Sequence, residues 1–258
     1  MAALVEVIRD GDIAQLWLNR PAALNALSRQ LMDELDAAVA DLAVSDARAV
    51  ILAGRGPRAF CAGADIKEFR PIASTVEARA AHYRRDTFTR IENLPMPTIA
   101  AVHGYTLGGG IALAIVCDIV IAAQNTVFGL PETGLGTFPG AGVTVRLPRL
   151  IGRGQAMRLI CSGERIDAAE AQRIGLATCL APGDDPMGAA MELARAIAAN
   201  APLGVRYAKE CITRGSQLPP QQGIAVETDL NMLMDATSDY AEGARAFGER
   251  RKPVFHGR

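Results

Sequence analysis

The sequence is poor in the residue types that build metal sites and disulfide frameworks. Its three histidines, His82, His103 and His256, lie far apart in the chain, which gives a zinc or haem site no ligand cluster to start from. The five cysteines (Cys61, Cys117, Cys161, Cys179, Cys211) are scattered, with no Cys-x-x-Cys pair. An odd number in apolar contexts fits reduced core thiols rather than disulfides. Basic excess is missing as well: the formal net charge is -1, so the concentrated positive face that binds nucleic acid is not expected. No apolar run approaches the ~20 residues of a membrane span. Met1 to Arg9 alternates in polarity like a strand and lacks the basic head and apolar middle of a signal peptide. The expectation is a chain that starts at Met1, avoids membranes and works in the cytoplasm. Absent too are the Gly-x-Ser-x-Gly elbow, the Gly-x-x-x-x-Gly-Lys phosphate loop and the Gly-x-Gly-x-x-Gly dinucleotide turn. Gly134-x-Gly136 followed by Gly140 misses that last spacing and has no strand–helix frame.

What remains is a chain of 258 residues, half of them hydrophobic. That is enough for one large core, or one domain with a small appendage. Leu4 to Ile8 and Ile13 to Leu18 alternate as a hairpin, with Asp10-Gly11 to supply positive φ angles. Ser28 can cap a helix whose apolar stripe is Leu31, Leu35, Val39 and Leu42. Ala49 to Ala53 reads as a buried strand. The charged stretch Ser74 to Asn93, between prolines, predicts a helical lid. Thr98 to Gly104, Ile119 to Ala123, Thr126 to Gly129 and Leu176 to Leu180 predict further strands. Ile111 to Cys117 predicts a short apolar helix, and Asp167-Ala-Ala-Glu170 opens another that Gly175 can close. From Pro202 to Gly248 only helical periodicity is present. The fold class is therefore α/β, with a mixed core over about residues 1–200 and a helical region over 201–258.

Two segments draw attention chemically. In Ala59-Phe60-Cys61-Ala62-Gly63-Ala64-Asp65-Ile66-Lys67, small residues crowd a strand end, so a ligand could approach the backbone. In Gly104-Tyr105-Thr106-Leu107-Gly108-Gly109-Gly110-Ile111-Ala112-Leu113, three glycines open an apolar helix. Its first N–H groups are left unpaired, with the positive end of the helix dipole behind them. Such a turn suits an anion, including one that exists only in a transition state. The plain alternative is two tight structural turns.

Together the segments resemble the enoyl-CoA hydratase/isomerase (crotonase) superfamily, whose members carry an Ala-Gly-Ala-Asp-Ile stretch and an Ala-Val-x-Gly-x-x-x-Gly-Gly-Gly stretch. Here the second is Ala101 to Gly110. The resemblance continues through Cys117-Asp118, Phe128 to Glu132, Gly136 to Gly140 and Ile151-Gly152, and ends at Arg251 to Phe255. It implies a spiral of repeated strand-strand-helix units with a C-terminal helical region that makes trimers, often paired into hexamers. The apolar stripes around Ile224, Leu230 and Leu233 would then be subunit interface, or else pack on their own core. It also implies an acyl-CoA substrate with no tightly bound cofactor, coenzyme A entering as part of the substrate. Carried over by motif, the backbone N–H groups of Ala64 and Gly109 form an oxyanion hole for the thioester carbonyl. Ala62, Asp65, Ile66, Lys67, Gly108 and Phe255 fall at positions the resemblance assigns to CoA, Lys67 near its phosphates; a solvated lysine is the alternative there.

The family's hydratases hold water between two glutamates. The second is present as Glu132. The first position, three residues after Gly109, is Ala112, whose methyl group cannot polarise water. A single glutamate could instead take a proton from C2 and return it to C4, as family isomerases do. Glu68 is an outside candidate for a second carboxylate. Asp118 is expected to serve structure, and His103 to be a core histidine rather than a base. The expected activity is an enoyl-CoA hydratase or isomerase. The alternatives are a CoA-binding family member without catalysis, or a thioester hydrolase or carbon–carbon lyase of the same superfamily.

Overall fold

In a computed structural model of the chain, residues 3–68, 74–76 and 86–258 are described. The chain opens with the antiparallel pair β1 (Val5–Asp10) and β2 (Ile13–Leu18). Their two-residue loop is Gly11-Asp12, one residue later than expected, and of these only Gly11 has positive φ, at 58°. Helix α1 (Arg29–Ala43) forms as its stripe predicts. Ser28 Oγ accepts from Leu31 N at 3.2 Å, and Leu31, Leu35, Val39 and Leu42 are buried.

Strands β3 (Ala49–Gly54), β5 (Thr98–Val102) and β7 (Ile119–Ala122) continue the first sheet in parallel, and the two-residue β10 (Cys179–Leu180) ends it, in the order β1-β2-β3-β5-β7-β10. β3 and β5 are buried along their whole length because neighbours cover both faces, which is why they read as unbroken apolar runs. A second sheet, only weakly visible in the sequence, holds β4 (Ala59–Cys61), β6 (Tyr105–Leu107), β8 (Val127–Gly129) and β9 (Arg165–Asp167), in the order β4-β6-β8-β9. Strands β3, β5 and β7 of the first sheet thus each hand the chain to a short strand of the second. The single strand expected over Thr98 to Gly104 divides at this corner. Gly104 has φ 55°, and a Cβ there would lie 2.2 Å from Arg58 O, so the chain can turn only where a side chain is absent.

Helix α2 (Thr87–Glu92) lies in the expected lid over Ser74 to Asn93; residues 77–85 of that stretch, His82 among them, lie outside the described residues. Helix α3 (Gly109–Ile115) follows β6 and is buried on nearly every side. Helices α4 (Val143–Ile151), α5 (Arg153–Ser162) and α6 (Ala168–Arg173) pack with α1 and α3 on the larger apolar core. Helix α7 (Pro186–Ala198) covers the other face of the first sheet, laying Ala190, Met191 and Ala194 against Ile51, Ile99 and Ile121.

The tail is different. Helices α8 (Pro202–Gly215) and α9 (Pro220–Met234) have no buried residue, and α10 (Ser238–Glu249) buries mainly Asp239, Glu242 and Ala246. Ile212, Ile224, Met232, Leu233 and Phe247 are exposed, so within one chain these stripes do not pack on their own core. The thiols are also less uniformly buried than expected: Cys61 and Cys117 are core, Cys179 and Cys211 half-buried, and Cys161 exposed.

Candidate active site

The loop after β4 is held by the segment Leu24–Leu27, which runs beside it. Ala62 N donates to Leu24 O at 3.0 Å, Leu27 N to Gly63 O at 2.8 Å, and Asp65 N to Leu27 O at 3.2 Å. Gly63 N–H is taken by the sulfur of Cys61, whose thiol burial pushes up to about 12. Of the four successive N–H groups from Ala62 to Asp65, that of Ala64 alone has no acceptor among the described residues, and Ala64 is exposed.

Gly109 sits alongside. It is the first residue of α3, and its N–H likewise has no acceptor among the described residues, whereas Gly108 N donates to Gly129 O at 2.9 Å. A Cβ added at Gly63 would lie 3.4 Å from Gly109 N, and one added at Gly109 would lie 3.6 Å from Ala64 N. The two free amides are therefore near neighbours, with Leu27 Cδ1 beside them, 2.9 Å from the Cβ position of Gly109. Gly110 makes the approach possible, since a Cβ there would meet Cys61 O at 2.1 Å.

Glu132 reaches the same spot from a different direction. It lies in a single 3-10 turn, Pro131–Leu135, that follows β8. The turn rests on the end of α5, with Thr133 Oγ1 donating to Ile160 O at 3.1 Å. Gly108 adopts φ 50° and ψ -117°, and a Cβ on it would fall 2.7 Å from Glu132 Oε1. The carboxylate thus rests against the glycine turn, one residue before Gly109. Its Oε2 is buried and has no hydrogen-bond partner among the described residues, and burial pushes the carboxyl above the ordinary glutamate range. A carboxylate left half-desolvated and under-satisfied is a better base than a solvated one.

The other expected positions are distributed unevenly. Ala112 is 1% exposed, in the main core, and its N donates to Gly108 O at 3.1 Å; no carboxylate occupies that place. Asp65 turns inward: it is 8% exposed, and its Oδ2 is 2.5 Å from Arg20 Nη1, a contact that pulls its pKa down. Ile66 and Lys67 are exposed on the short 3-10 turn beside the loop. Glu68 is engaged elsewhere, its Oε2 accepting from Arg29 N at 2.8 Å at the start of α1. Phe255 packs near Gly243 of α10, and its carbonyl accepts from Arg48, just before β3. Among the described residues no hydrogen bond ties it to the Ala64–Gly109 turn. Asp118 serves structure as expected, binding Thr98 N at 2.7 Å and Lys209 Nζ at 2.8 Å. His103 departs from expectation: it is half-buried rather than core, lines a cleft of about 330 Å³ with Trp17 and Asp184, and its Nε2 lies 2.7 Å from Gly56 O. Among the described residues there is no cluster of three or more His, Cys, Asp or Glu that could hold a metal, and no helix long and apolar enough to cross a membrane.

Sequence reasoning passed over Arg20 and Asn25, which lock the Leu24–Leu27 segment in place. Asn25 is fully buried at φ 54°, accepting from Arg20 N and donating to Arg55 O and Ala59 O. The available signal was a polar residue inside the apolar run Ala22 to Leu27, where a turn at positive φ favours asparagine.

Two sheets joined corner to corner in a spiral, with helices on the outside and a glycine turn at the end of a second-sheet strand, define a crotonase-type fold. The chain belongs to the enoyl-CoA hydratase/isomerase family, whose profile matches residues 9–258. It is similar to the short-chain-enoyl-CoA hydratase of Clostridium acetobutylicum, 41% identical over 95% of this chain and 94% of that one. It is also similar to the 2,3-dehydroadipyl-CoA hydratase of Escherichia coli, 40% identical over 98% of both chains. Among solved structures, the enoyl-CoA hydratase of Bacillus anthracis is 40% identical, covers 99% of this chain and 100% of its own length, and superposes with a TM-score of 0.94. The protein is an enoyl-CoA hydratase or enoyl-CoA isomerase.

Proposed function

We propose that the enzyme moves a proton at C2 of an enoyl-CoA thioester through an enolate whose oxygen is held by the N–H groups of Ala64 and Gly109, with Glu132 as the only acid/base. The observation that carries this reading is the position of Glu132. Its carboxylate lies on Gly108, is under-satisfied, and is next to two backbone donors that have no other acceptor among the described residues. Deprotonation at C2 gathers charge on the thioester oxygen, and each preorganised donor there is typically worth about 10²–10³ in rate. Glu132 returns the proton to C4, which shifts the double bond without water. Ala112 favours this isomerase reading, because a methyl group in the core offers no second carboxylate for water.

A second reading, hydration of a 2-enoyl-CoA, is favoured by the names of the relatives in Clostridium and Escherichia. It uses the same oxyanion donors and the same glutamate. CoA would run past Ala62 and along Ile66 and Lys67, which are exposed at the surface, while Asp65 contributes its backbone rather than its carboxylate. No tightly bound cofactor is needed for either reaction. The exposed apolar faces of α8 to α10 support a homotrimer or a pair of trimers, with residues 1–200 as the catalytic core and 201–258 as the assembling region.

Product masses, read together with the ultraviolet absorbance of the conjugated 2-enoyl thioester, decide between the readings, since the two enoyl isomers have equal mass. Purified enzyme is incubated with a short 2-enoyl-CoA and, separately, with the 3-enoyl isomer. Conversion of the 3-enoyl to the 2-enoyl form without water uptake is the expected result. Gain of one water by the 2-enoyl substrate, lost in Glu132→Gln, would establish hydration. Release of free CoA thiol would overturn both.

A further inference from the structure

Nothing in the proposed reaction assigns work to Arg20. We infer that Arg20 is a positioning residue for catalysis: through Asp65 and the Leu24–Leu27 segment it holds the Ala64 N–H where the thioester oxygen must bind. This rests on the reading of Ala64 as an oxyanion donor.

Ala64 has no side chain able to fix its own peptide, and it is exposed at the edge of a loop. Its orientation is set by its neighbours. On its C-terminal side, Asp65 is anchored three times: its N donates to Leu27 O at 3.2 Å, its Oδ1 accepts from Lys67 N at 3.1 Å, and its Oδ2 meets Arg20 Nη1 at 2.5 Å. The same Arg20 Nη1 donates to Ala26 O at 3.2 Å, so one guanidinium ties both strips of chain together. The backbone of Arg20 is fixed in turn by buried Asn25, with reciprocal bonds of 2.8 and 3.0 Å. The Ala64 N–H shares its peptide plane with Gly63 O, which accepts from Leu27 N at 2.8 Å, so it keeps its direction only while the Leu24–Leu27 segment stays against the loop. Arg20 holds the two together by a charge-assisted bond to a carboxylate that is 8% exposed. An arginine suits this task because its planar fork is rigid and permanently charged, so that Nη1 is held where it reaches the Asp65 carboxylate and the Ala26 carbonyl at once, whereas a lysine is a flexible point charge. Removing the fork leaves Asp65 buried and without its cation, free to drag the loop. A donor misplaced by about 1 Å can cost about 10²-fold in rate with the chemistry otherwise intact.

The test compares Arg20→Met, Arg20→Lys and Asp65→Asn with the unaltered enzyme. Two readouts are used: steady-state kcat and KM on an enoyl-CoA, and the infrared stretch of a ¹³C-labelled thioester carbonyl in a bound, unreactive acyl-CoA. Arg20→Met should lower kcat about 10- to 100-fold with KM changed less than about threefold, and should return the carbonyl stretch toward its value in water. Its pH profile should keep the acid limb of the unaltered enzyme, because Glu132 is untouched. Arg20→Lys should recover part of both signals. Should Arg20→Met fail to fold, Asp65→Asn, which keeps shape and loses charge, carries the same expectation. Full kcat and an unshifted carbonyl band in a folded Arg20→Met or Asp65→Asn protein would overturn the inference. So would a loss confined to KM. Failure of the underlying reading looks different, since the carbonyl band of the unaltered enzyme itself would then match the band in water.

Discussion

The two halves of the site are built in contrasting ways. Ala64 and Gly109, the proposed main-chain donors, lie where Cβ positions at Gly63, Gly109 and Gly110 fall within 2.1 to 2.9 Å of neighbouring atoms. Glu132 is a side chain on a single 3-10 turn, followed by Gly134, Gly136 and Gly140, where an added Cβ would meet no atom within 4 Å. One half is set in close packing; the other is held by a few contacts, the bond from Thr133 Oγ1 to Ile160 O, that from Thr137 N to Glu132 O, and the seat that Gly108 offers the carboxylate. Preorganisation has most value for charge stabilisation, where donors must not reorient during reaction. A group that collects a proton at one carbon and delivers it to another gains from some freedom. The contrast therefore fits the proposed division between oxyanion donors set in close packing and a base carried on a looser turn.

That contrast can be broken in order of expected effect. Glu132→Gln should reduce turnover most, by about 10²–10⁴-fold, as measured by steady-state kinetics, while leaving CoA binding in place. The unaltered enzyme should show an acid limb in kcat/KM that lies above the ordinary glutamate range, since the base works deprotonated and burial raises its pKa. The variant should lack that limb. The same shift carries a stability sign. A carboxyl with a raised folded pKa favours the fold below its unfolded pKa and loses that contribution as pH rises through the folded one. Thermal melts of Glu132→Gln should therefore lie slightly above those of the unaltered enzyme at neutral pH and coincide with them in acid.

Gly108→Ala comes next. It adds a methyl 2.7 Å from Glu132 Oε1 at a φ of 50°, so the carboxylate must leave its seat. We expect kcat to fall about 100-fold with little change in KM. Gly110→Ala acts on the rigid half: its Cβ would meet Cys61 O at 2.1 Å, backbone against backbone. A loss of about 1–3 kcal/mol in denaturant unfolding is expected, with activity falling as the turn shifts. Gly134→Ala is the control on the loose half. With open space at its Cβ it should leave kinetics unchanged and stability equal or raised by about 0.4–1 kcal/mol.

Much of the rigid half could be read from the residues. Small residues at Ala62 to Ala64 and the glycines before Ile111 announce close backbone approach, and the stripe of α1 announces its buried face. What escaped was the part that depends on distant pairing. The strands β4 and β6 are three residues each, too short for a period of two to show, and they exist because the chain turns a corner at Gly104. The bracing by Arg20 and Asn25 joins segments 45 and 34 residues apart along the chain, beyond the reach of any local pattern. Asp65 shows the limit from the other side: its place in the motif suggested a contact with CoA, but only the fold reveals that its carboxylate turns toward Arg20.

The most direct test of a lone base is proton exchange at the substrate carbon. Enzyme and a short 3-enoyl-CoA are mixed in heavy water, and deuterium at C2 and C4 is followed by mass spectrometry, with Glu132→Gln beside the unaltered protein. Exchange and double-bond migration are expected together in the unaltered enzyme, both falling with the acid limb of its pH profile and both lost in the variant. Exchange that persists in Glu132→Gln would show that another group carries the proton and would contradict the assignment of Glu132 as the sole acid/base.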